Sequence, residues 1–124
     1  MAVDRAVLTV LVVEDDALVR MHGIDILEDA GFAVLEAADA DEALVILDGL
    51  DDVDLLFSDV DMPGSMSGLD LAHVVHERWP DMPVLLTSGH HRICEAQLPA
   101  EGKFVTKPWA QAALVKQIRD LLHA

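Results

Sequence analysis

The chain of 124 residues has few basic side chains and a single cysteine. Lys and Arg total 8 against 23 Asp and Glu, which gives a formal net charge of −15. Because this charge repels a phosphate backbone, the composition argues against nucleic-acid binding and favours cations or proteins as partners. Cys94 has no second cysteine to pair with, so no disulfide can form within the chain and a reducing compartment is expected.

Long apolar runs are also missing. No stretch approaches the roughly 20 apolar residues of a membrane span, and the first apolar run stops at Glu14-Asp15-Asp16 instead of a small-residue cleavage site. These absences predict a cytoplasmic protein without a membrane partner. Hydrophobic residues still make up 52% of the chain, which argues against disorder and predicts one domain over residues 1–124.

Five short apolar runs have the pattern of strands in a covered sheet. The first is almost continuously apolar and β-branched, which is typical of a strand buried on both faces. The predicted strands are residues 7–13, 32–37, 55–59, 84–87 and 102–106.

Helical segments separate most of these runs. The first is predicted from Ala17 to Ala30, with Asp16 as its N-cap and Gly31 as its stop. Its helical pattern rests on four apolar positions, which are Leu18, Met21, Ile24 and Leu27.

Three further helices are predicted, and one more segment is weak. Asp39 to Glu42 resembles a capping box and opens a helix that stops at Gly49, and Ser67 to Asp70 opens another that ends near Trp79. The last helix runs over residues 109–122, with an apolar stripe of Ala110, Ala113, Leu114, Ile118 and Leu121. Val115 and Leu122 lie off that stripe and mark either a contact surface or the edge of the core. Residues 90–98, limited by Pro99, are predicted to be only a poor helix.

The alternation of strands and helices predicts a doubly wound α/β fold, with a five-stranded parallel sheet covered by helices on both faces. In such sheets the carboxyl ends of the strands meet at one edge, where ligands bind. The polar residues that follow the strands at this edge are Glu14, Asp15, Asp59, Thr87 and Lys107.

These five residues have a shared chemistry. Carboxylates that converge repel one another unless a cation joins them, and Mg²⁺ takes one or two carboxylates together with waters and a phosphate oxygen. Aspartate can itself accept a phosphoryl group, and Asp59 is the best placed to do so. Lys107 and Thr87 supply the cation and the hydroxyl that phosphoryl oxygens require. Each residue alone is typical of a solvated loop or strand end, but their joint appearance at four strand ends predicts a site.

With these motifs the chain resembles, over essentially its whole length, the receiver domain of two-component response regulators. The resemblance rests on Leu11 to Asp16, on Ser58 to Pro63 with Gly68 beyond, on Leu86 to Ser88, and on Phe104 to Pro108. It implies a flavodoxin-like fold with strand order 2-1-3-4-5.

The resemblance also implies the role of each site residue. Asp59 is the phosphoacceptor, and Glu14, Asp15 and Asp59 bind Mg²⁺, with Mn²⁺ as an alternative ion. The backbone carbonyl of Asp61 completes the protein's share of the metal shell.

The remaining roles concern the phosphoryl group and its consequences. Thr87 and Lys107 would contact the phosphoryl group, and Phe104 would move with Thr87. A histidine kinase or phosphotransfer protein would donate the group, and a downstream protein target or a second copy of the chain would read the changed surface. The only catalysis implied is the domain's own phosphorylation and dephosphorylation.

The chain departs from the family pattern in three places. Gly64-Ser65 lengthens the loop after Pro63 by one residue relative to the commonest spacing. The segment over residues 90–98 is short and limited by Pro99, so the usual output surface is not expected there. The sequence ends directly after the last helix, so no effector domain is expected.

Two alternatives remain open. Asp59-Val60-Asp61 mimics the nucleophile signature of Mg²⁺-dependent phosphatases of the haloacid dehalogenase family, which also use Thr and Lys. Three features argue against that function. Met62-Pro63 stands where Thr or Val usually follows the signature, the acidic pair precedes the nucleophile in the chain, and the chain has no room for a cap domain. The other alternative, a receiver that has lost phosphorylation, conflicts with the intact acids, threonine and lysine.

Overall fold

The computed structural model describes residues 7–62, 64, 66–89 and 102–123. The predictions for Pro63, Ser65 and Cys94, and for a weak helix over residues 90–98, concern positions outside this described part. No helix in the described ranges is both long enough and apolar enough to cross a membrane.

Five parallel strands form one sheet in the order β2-β1-β3-β4-β5, which confirms the predicted fold and strand order. The strands are β1 (Thr9–Val13), β2 (Ala33–Ala37), β3 (Leu55–Asp59), β4 (Val84–Ser88) and β5 (Gly102–Thr106). The register pairs Asp59 with Thr87 and Ser88 with Thr106. The carboxyl ends of β3, β4 and β5 are therefore level, and the residues at these ends share one edge.

Four helices are present in the described residues, at α1 (Ala17–Asp29), α2 (Ala40–Gly49), α3 (Gly68–Arg78) and α4 (Gln111–Leu122). Asp16 caps α1 as predicted, and its side chain accepts hydrogen bonds from the backbone N–H groups of Leu18 and Val19. The complete capping box lies at Ser67 and Asp70, where the sequence predicted only a helix start.

Two predicted helix ends are confirmed, and one predicted helix start shifts. Gly31 stops α1 as expected, with a positive φ of 96° and an N–H that donates to the Glu28 carbonyl. Gly49 is the last residue of α2, as predicted, and Leu50 follows as its C-cap. The last helix starts at Gln111, two residues after the predicted start at Trp109.

The sheet separates two hydrophobic cores. The core on the α2 and α3 side includes Leu11, Val13, Leu47, Leu56, Leu71, Val75 and Leu86. The core on the α1 and α4 side includes Val10, Val12, Ile26, Leu27, Phe57, Leu85, Leu114 and Ile118. Neighbouring residues of a strand thus enter opposite cores, which is why the strand sequences are continuously apolar.

The apolar pattern of α1 did not identify its buried face correctly. Leu18 and Met21 are 79% and 59% exposed, whereas Gly23, Ile26 and Leu27 are buried. A Cβ atom at position 23 would lie 3.2 Å from the Trp109 ring, so α1 packs closely there on a residue without a side chain. Hydrophobic periodicity cannot register such a position, because glycine contributes no apolar side chain to the pattern.

The stripe predicted for α4 is partly confirmed. Leu114 and Ile118 are buried, but Ala110 and Ala113 are exposed, so the contact with the sheet is narrower than expected. Val115 and Leu122 are half-buried against the core on the α1 and α4 side. Of the two interpretations of these residues, the structure confirms the edge of the core.

Candidate functional site

The predicted site residues follow the strands at one edge of the sheet. Asp59 is the last residue of β3 and is 4% exposed, and Thr87 is its register partner on β4 and equally buried. Glu14 follows β1 directly and is buried, and Lys107 follows β5 and is half-buried. Asp15 is exposed at the mouth of the site. The structure brings this whole set to one edge.

Three carboxylates of this set converge. One oxygen from each of Glu14, Asp15 and Asp59 lies within 4.8 Å of the other two. Lys107 Nζ lies 2.5 Å from Glu14 Oε1 and 3.5 Å from Asp59 Oδ2. The lysine therefore offsets only part of the negative charge, and its shorter contact is with Glu14.

One oxygen of this cluster lacks a partner. Among the described residues, Asp59 Oδ1 is buried and has no hydrogen bond. A buried carboxylate oxygen left unpaired is costly, because it has given up water without a replacement. An oxygen cluster of this kind fits a hard divalent cation, which binds carboxylate and carbonyl oxygens.

The charges of the site perturb its pKa values. Burial raises the pKa of Asp59 above its usual range, although the charge of Lys107 and a hydrogen bond with Glu14 partly oppose this. Burial, followed by the hydrogen bond and negative charge of Glu14, raises the pKa of Asp15. Burial alone would lower the pKa of Lys107, but the hydrogen bond to Glu14 and the charges of Asp59 and Glu14 outweigh burial and raise it.

Asp59→Asn should raise the melting temperature of the metal-free protein at neutral pH. The pKa of Asp59 is higher in the native state than in the unfolded chain, so its ionisation costs stability as the pH rises through the native pKa. Asparagine removes that cost, so we expect a gain in Tm over the wild type. The gain should shrink as the pH falls and Asp59 itself becomes protonated.

Asp51→Asn is the matched control for this measurement. It also removes one negative charge, but Asp51 is exposed and precedes β3, at the opposite end of the sheet from the site. Thermal melts followed by circular dichroism in a chelating buffer compare the two variants. Equal shifts would show that only net charge matters and would contradict a specific cost at Asp59.

Two residues next to the site, Ser88 and Gly68, have structural roles that the sequence did not reveal. Ser88 Oγ donates a hydrogen bond of 2.8 Å to Asp61 Oδ2 and so fixes that side chain beside the site. Gly68 donates its N–H to the Val60 carbonyl at 3.0 Å, and a methyl group at position 68 would overlap the carbonyl oxygen of Asp59. The start of α3 therefore lies directly against the backbone of Asp59.

Trp109 is the functional candidate that sequence reasoning missed. Its indole N–H donates a hydrogen bond of 2.9 Å to Thr87 Oγ1. Apart from a tryptophan soon after Lys107, no local signal indicates this contact, because 22 residues separate the partners.

Phe104 is placed differently from Thr87. It pairs in register with Leu86 and packs, half-buried, against the core on the α2 and α3 side. Since successive side chains of a strand alternate between faces, Thr87 is directed to the face opposite Leu86. The coupled movement of Phe104 and Thr87 stays a prediction, as does the metal contact of the Asp61 carbonyl.

The sequence of this chain is similar to those of known signalling proteins. A family model for the response regulator receiver domain matches residues 10–119. Sensor kinase CckA of Brucella abortus is 38% identical over 119 residues, which cover 93% of this chain and 12% of the kinase. The C4-dicarboxylate transport transcriptional regulatory protein DctD of Rhizobium meliloti is 38% identical over 114 residues, which cover 90% of this chain and 24% of that protein. The chain thus spans less than a quarter of either relative's length.

Comparison of the folds agrees with the sequence matches. The crystal structure of a response regulator receiver protein from Sinorhizobium medicae superposes with a TM-score of 0.88 and 26% identity. The match covers 98% of each chain. The similarity therefore includes both cores and the edge where the carboxylates converge.

Proposed function

Because the chain belongs to the response regulator receiver domain family, whose members act as phosphorylation-dependent signalling switches, we propose that it accepts a phosphoryl group on Asp59. The observation that carries this proposal is the buried Asp59 carboxylate, with one unpaired oxygen and with Lys107 Nζ 3.5 Å from the other. The donor would be the phosphohistidine of a histidine kinase or phosphotransfer protein. Neither the family match nor the relatives support the phosphatase alternative.

The residues of the site suit this transfer. An Asp59 carboxylate oxygen attacks phosphorus, the P–N bond of the donor breaks, and its electron pair returns to the imidazole nitrogen. Lys107 would turn from Glu14 toward the added phosphoryl oxygens, and the Thr87 hydroxyl would donate to another of them. The catalysis proposed is limited to the domain's own phosphorylation and dephosphorylation.

Glu14, Asp15 and Asp59 would hold the metal ion that this transfer requires, together with the Asp61 carbonyl. Mg²⁺ is the proposed ion and Mn²⁺ the alternative, since both take oxygen ligands. When bound, the ion supplies positive charge that offsets the carboxylates and the phosphoryl oxygens. The unpaired buried oxygen of Asp59 supports this assignment.

Acetyl phosphate provides the test of function. Incubation with Mg²⁺ should add one phosphoryl mass to the chain, and hydroxylamine should remove it, as expected for an acyl phosphate. Without a divalent ion the adduct should not form. Sustained hydrolysis of p-nitrophenyl phosphate over many turnovers would instead favour the phosphatase alternative.

Mg²⁺ should also stabilise the fold by binding the native state. At ten times its dissociation constant, the ion would add about 1.4 kcal/mol, or roughly 5 °C in Tm. Asp15→Ala should lose most of this shift, whereas the exposed Asp51→Ala should keep it. A melt that millimolar Mg²⁺ leaves unmoved, or moves equally in both variants, would contradict the proposed ligands.

The output is proposed to pass through protein contacts. The net charge of −15 repels nucleic acid, so a downstream protein or a second copy of the chain would read the phosphorylated surface. We propose that residues 1–124 form one receiver domain, of which the family model covers residues 10–119. The cytoplasmic location stays a prediction.

A further inference from the structure

We propose that Trp109 is a positioning residue that holds the Thr87 hydroxyl in the unphosphorylated protein and releases it when Asp59 is phosphorylated. This inference rests on the proposed function, since it concerns the same site. The indole N–H of Trp109 donates to Thr87 Oγ1 at 2.9 Å. Indole offers one donor and no acceptor, and Thr87 is 2% exposed, so this bond fixes the hydroxyl oxygen toward Trp109.

The Trp109 ring is held by its neighbours. It stacks on His22 of α1 with a centroid distance of 5.8 Å and an interplanar angle of 16°. The ring of Phe57 of β3 packs against it with a centroid distance of 5.3 Å, and a Cβ atom at position 23 would lie only 3.2 Å from its edge. Because these contacts restrict the ring, the threonine is the partner that must move.

The phosphoryl group competes with Trp109 for this hydroxyl. Thr87 and Asp59 are register partners on neighbouring strands, so a phosphoryl group on Asp59 forms beside Thr87. The direction of the hydroxyl is set by χ1, which has three staggered positions. On this proposal, Oγ1 must turn away from the indole N–H in order to reach the phosphoryl group. Since a threonine hydroxyl can accept one hydrogen bond while it donates another, the two contacts compete through the position of Oγ1 and not through its hydrogen-bonding capacity. The bond to Trp109 therefore opposes phosphorylation by holding Oγ1 in place.

Trp109 also lies beside the second group proposed to contact the phosphoryl oxygens. Lys107 Nζ is 6.0 Å from the Trp109 ring centroid and 3.5 Å from Asp59 Oδ2. Phosphorylation would draw both Thr87 and Lys107 away from the ring. The environment of Trp109, and of His22 stacked on it, would change as a result.

The first test is the affinity for beryllofluoride, which has the shape and charge of a phosphoryl group on a carboxylate. Trp109→Phe keeps an aromatic ring but removes the N–H donor. With Mg²⁺ present, calorimetric titration should show about three- to tenfold tighter binding than in the wild type, since one competing hydrogen bond is lost. Equal or weaker binding in Trp109→Phe would overturn the proposal.

A double-mutant cycle shows whether Trp109 acts through Thr87. Thr87→Val removes the hydroxyl, so adding Trp109→Phe to it should change beryllofluoride affinity by less than about twofold. If Trp109→Phe tightens binding equally in both backgrounds, the ring acts through packing alone and the proposal fails.

Fluorescence provides a measurement on a protein that keeps Trp109. In Trp79→Phe, which alters only a residue at the end of α3, all tryptophan emission comes from Trp109. Saturation with beryllofluoride should shift this emission, and adding Thr87→Val should shift it before any ligand is present. If neither beryllofluoride nor Thr87→Val shifts the emission, Trp109 does not hold and release Thr87, and the proposal is wrong. A wild type that binds no beryllofluoride, or Asp59→Asn that binds it equally, would overturn the proposed function as well.

Discussion

Asp59→Asn should lose the hydroxylamine-labile phosphoryl adduct almost completely, with labelling by acetyl phosphate at least about a hundredfold slower than in the wild type. An amide oxygen is a far weaker nucleophile than a carboxylate. The substitution also changes the only carboxylate oxygen of the described residues that is buried without a partner. Intact-mass measurements over time, with Mg²⁺ present, give the rate directly.

Asp61→Asn is the control that separates the acceptor from its acidic surroundings. The Asp61 side chain is held by Ser88, and its proposed metal contact is through the backbone, which the substitution leaves in place. This variant should still be labelled within a few fold of the wild-type rate. Labelling of Asp59→Asn at the wild-type rate would show that another residue accepts the phosphoryl group.

Gly68→Ala should damage both the fold and the site. The added methyl group would overlap the Asp59 carbonyl oxygen and lie 2.8 Å from the Cα atom of Val60, and backbone atoms cannot move aside as a flexible side chain can. We expect a loss of about 2 to 3 kcal/mol, or roughly 10 °C in Tm. Displacement of Asp59 by a fraction of an ångström should also slow labelling by about tenfold or more.

Gly49→Ala provides the comparison for this substitution. Gly49 is also a helical glycine, but nothing lies within 4 Å of a Cβ atom built there. This variant should melt at or slightly above the wild-type temperature, because alanine favours helix over glycine. If Gly68→Ala matched it in both Tm and labelling rate, the close approach of α3 to Asp59 would not matter to the site.

The sequence predicted the fold and the site edge because their signals are local. Apolar runs that end in acids, threonine or lysine identify the strands, and alternation with helices dictates a parallel sheet. Parallel strands then bring Glu14, Asp59, Thr87 and Lys107 to one edge without any knowledge of side-chain contacts. The same signals placed Asp16 correctly as the cap of α1.

Contacts between residues far apart in the sequence could not be predicted from these local signals. Lys107 and Glu14 are 93 residues apart, and their pairing depends on how β1 and β5 are spaced within the sheet. The orientation of α1 was misjudged because a glycine, Gly23, faces the Trp109 ring. The hydrogen bond between Trp109 and Thr87 was also missed, because only the folded chain brings these two residues together.

Because the sheet separates the two hydrophobic cores, substitutions in one core can accumulate independently of substitutions in the other. Substitutions more than about 7 to 10 Å apart without shared partners have additive effects on stability, and side chains of helices that pack on opposite faces of the sheet meet this condition. A descendant of this chain can therefore repack α1 and α4, and so reshape the surface around Leu18, without compensating changes under α2 and α3. The surface on the α1 and α4 side can therefore change the partners that it binds, while the core on the α2 and α3 side keeps the fold stable.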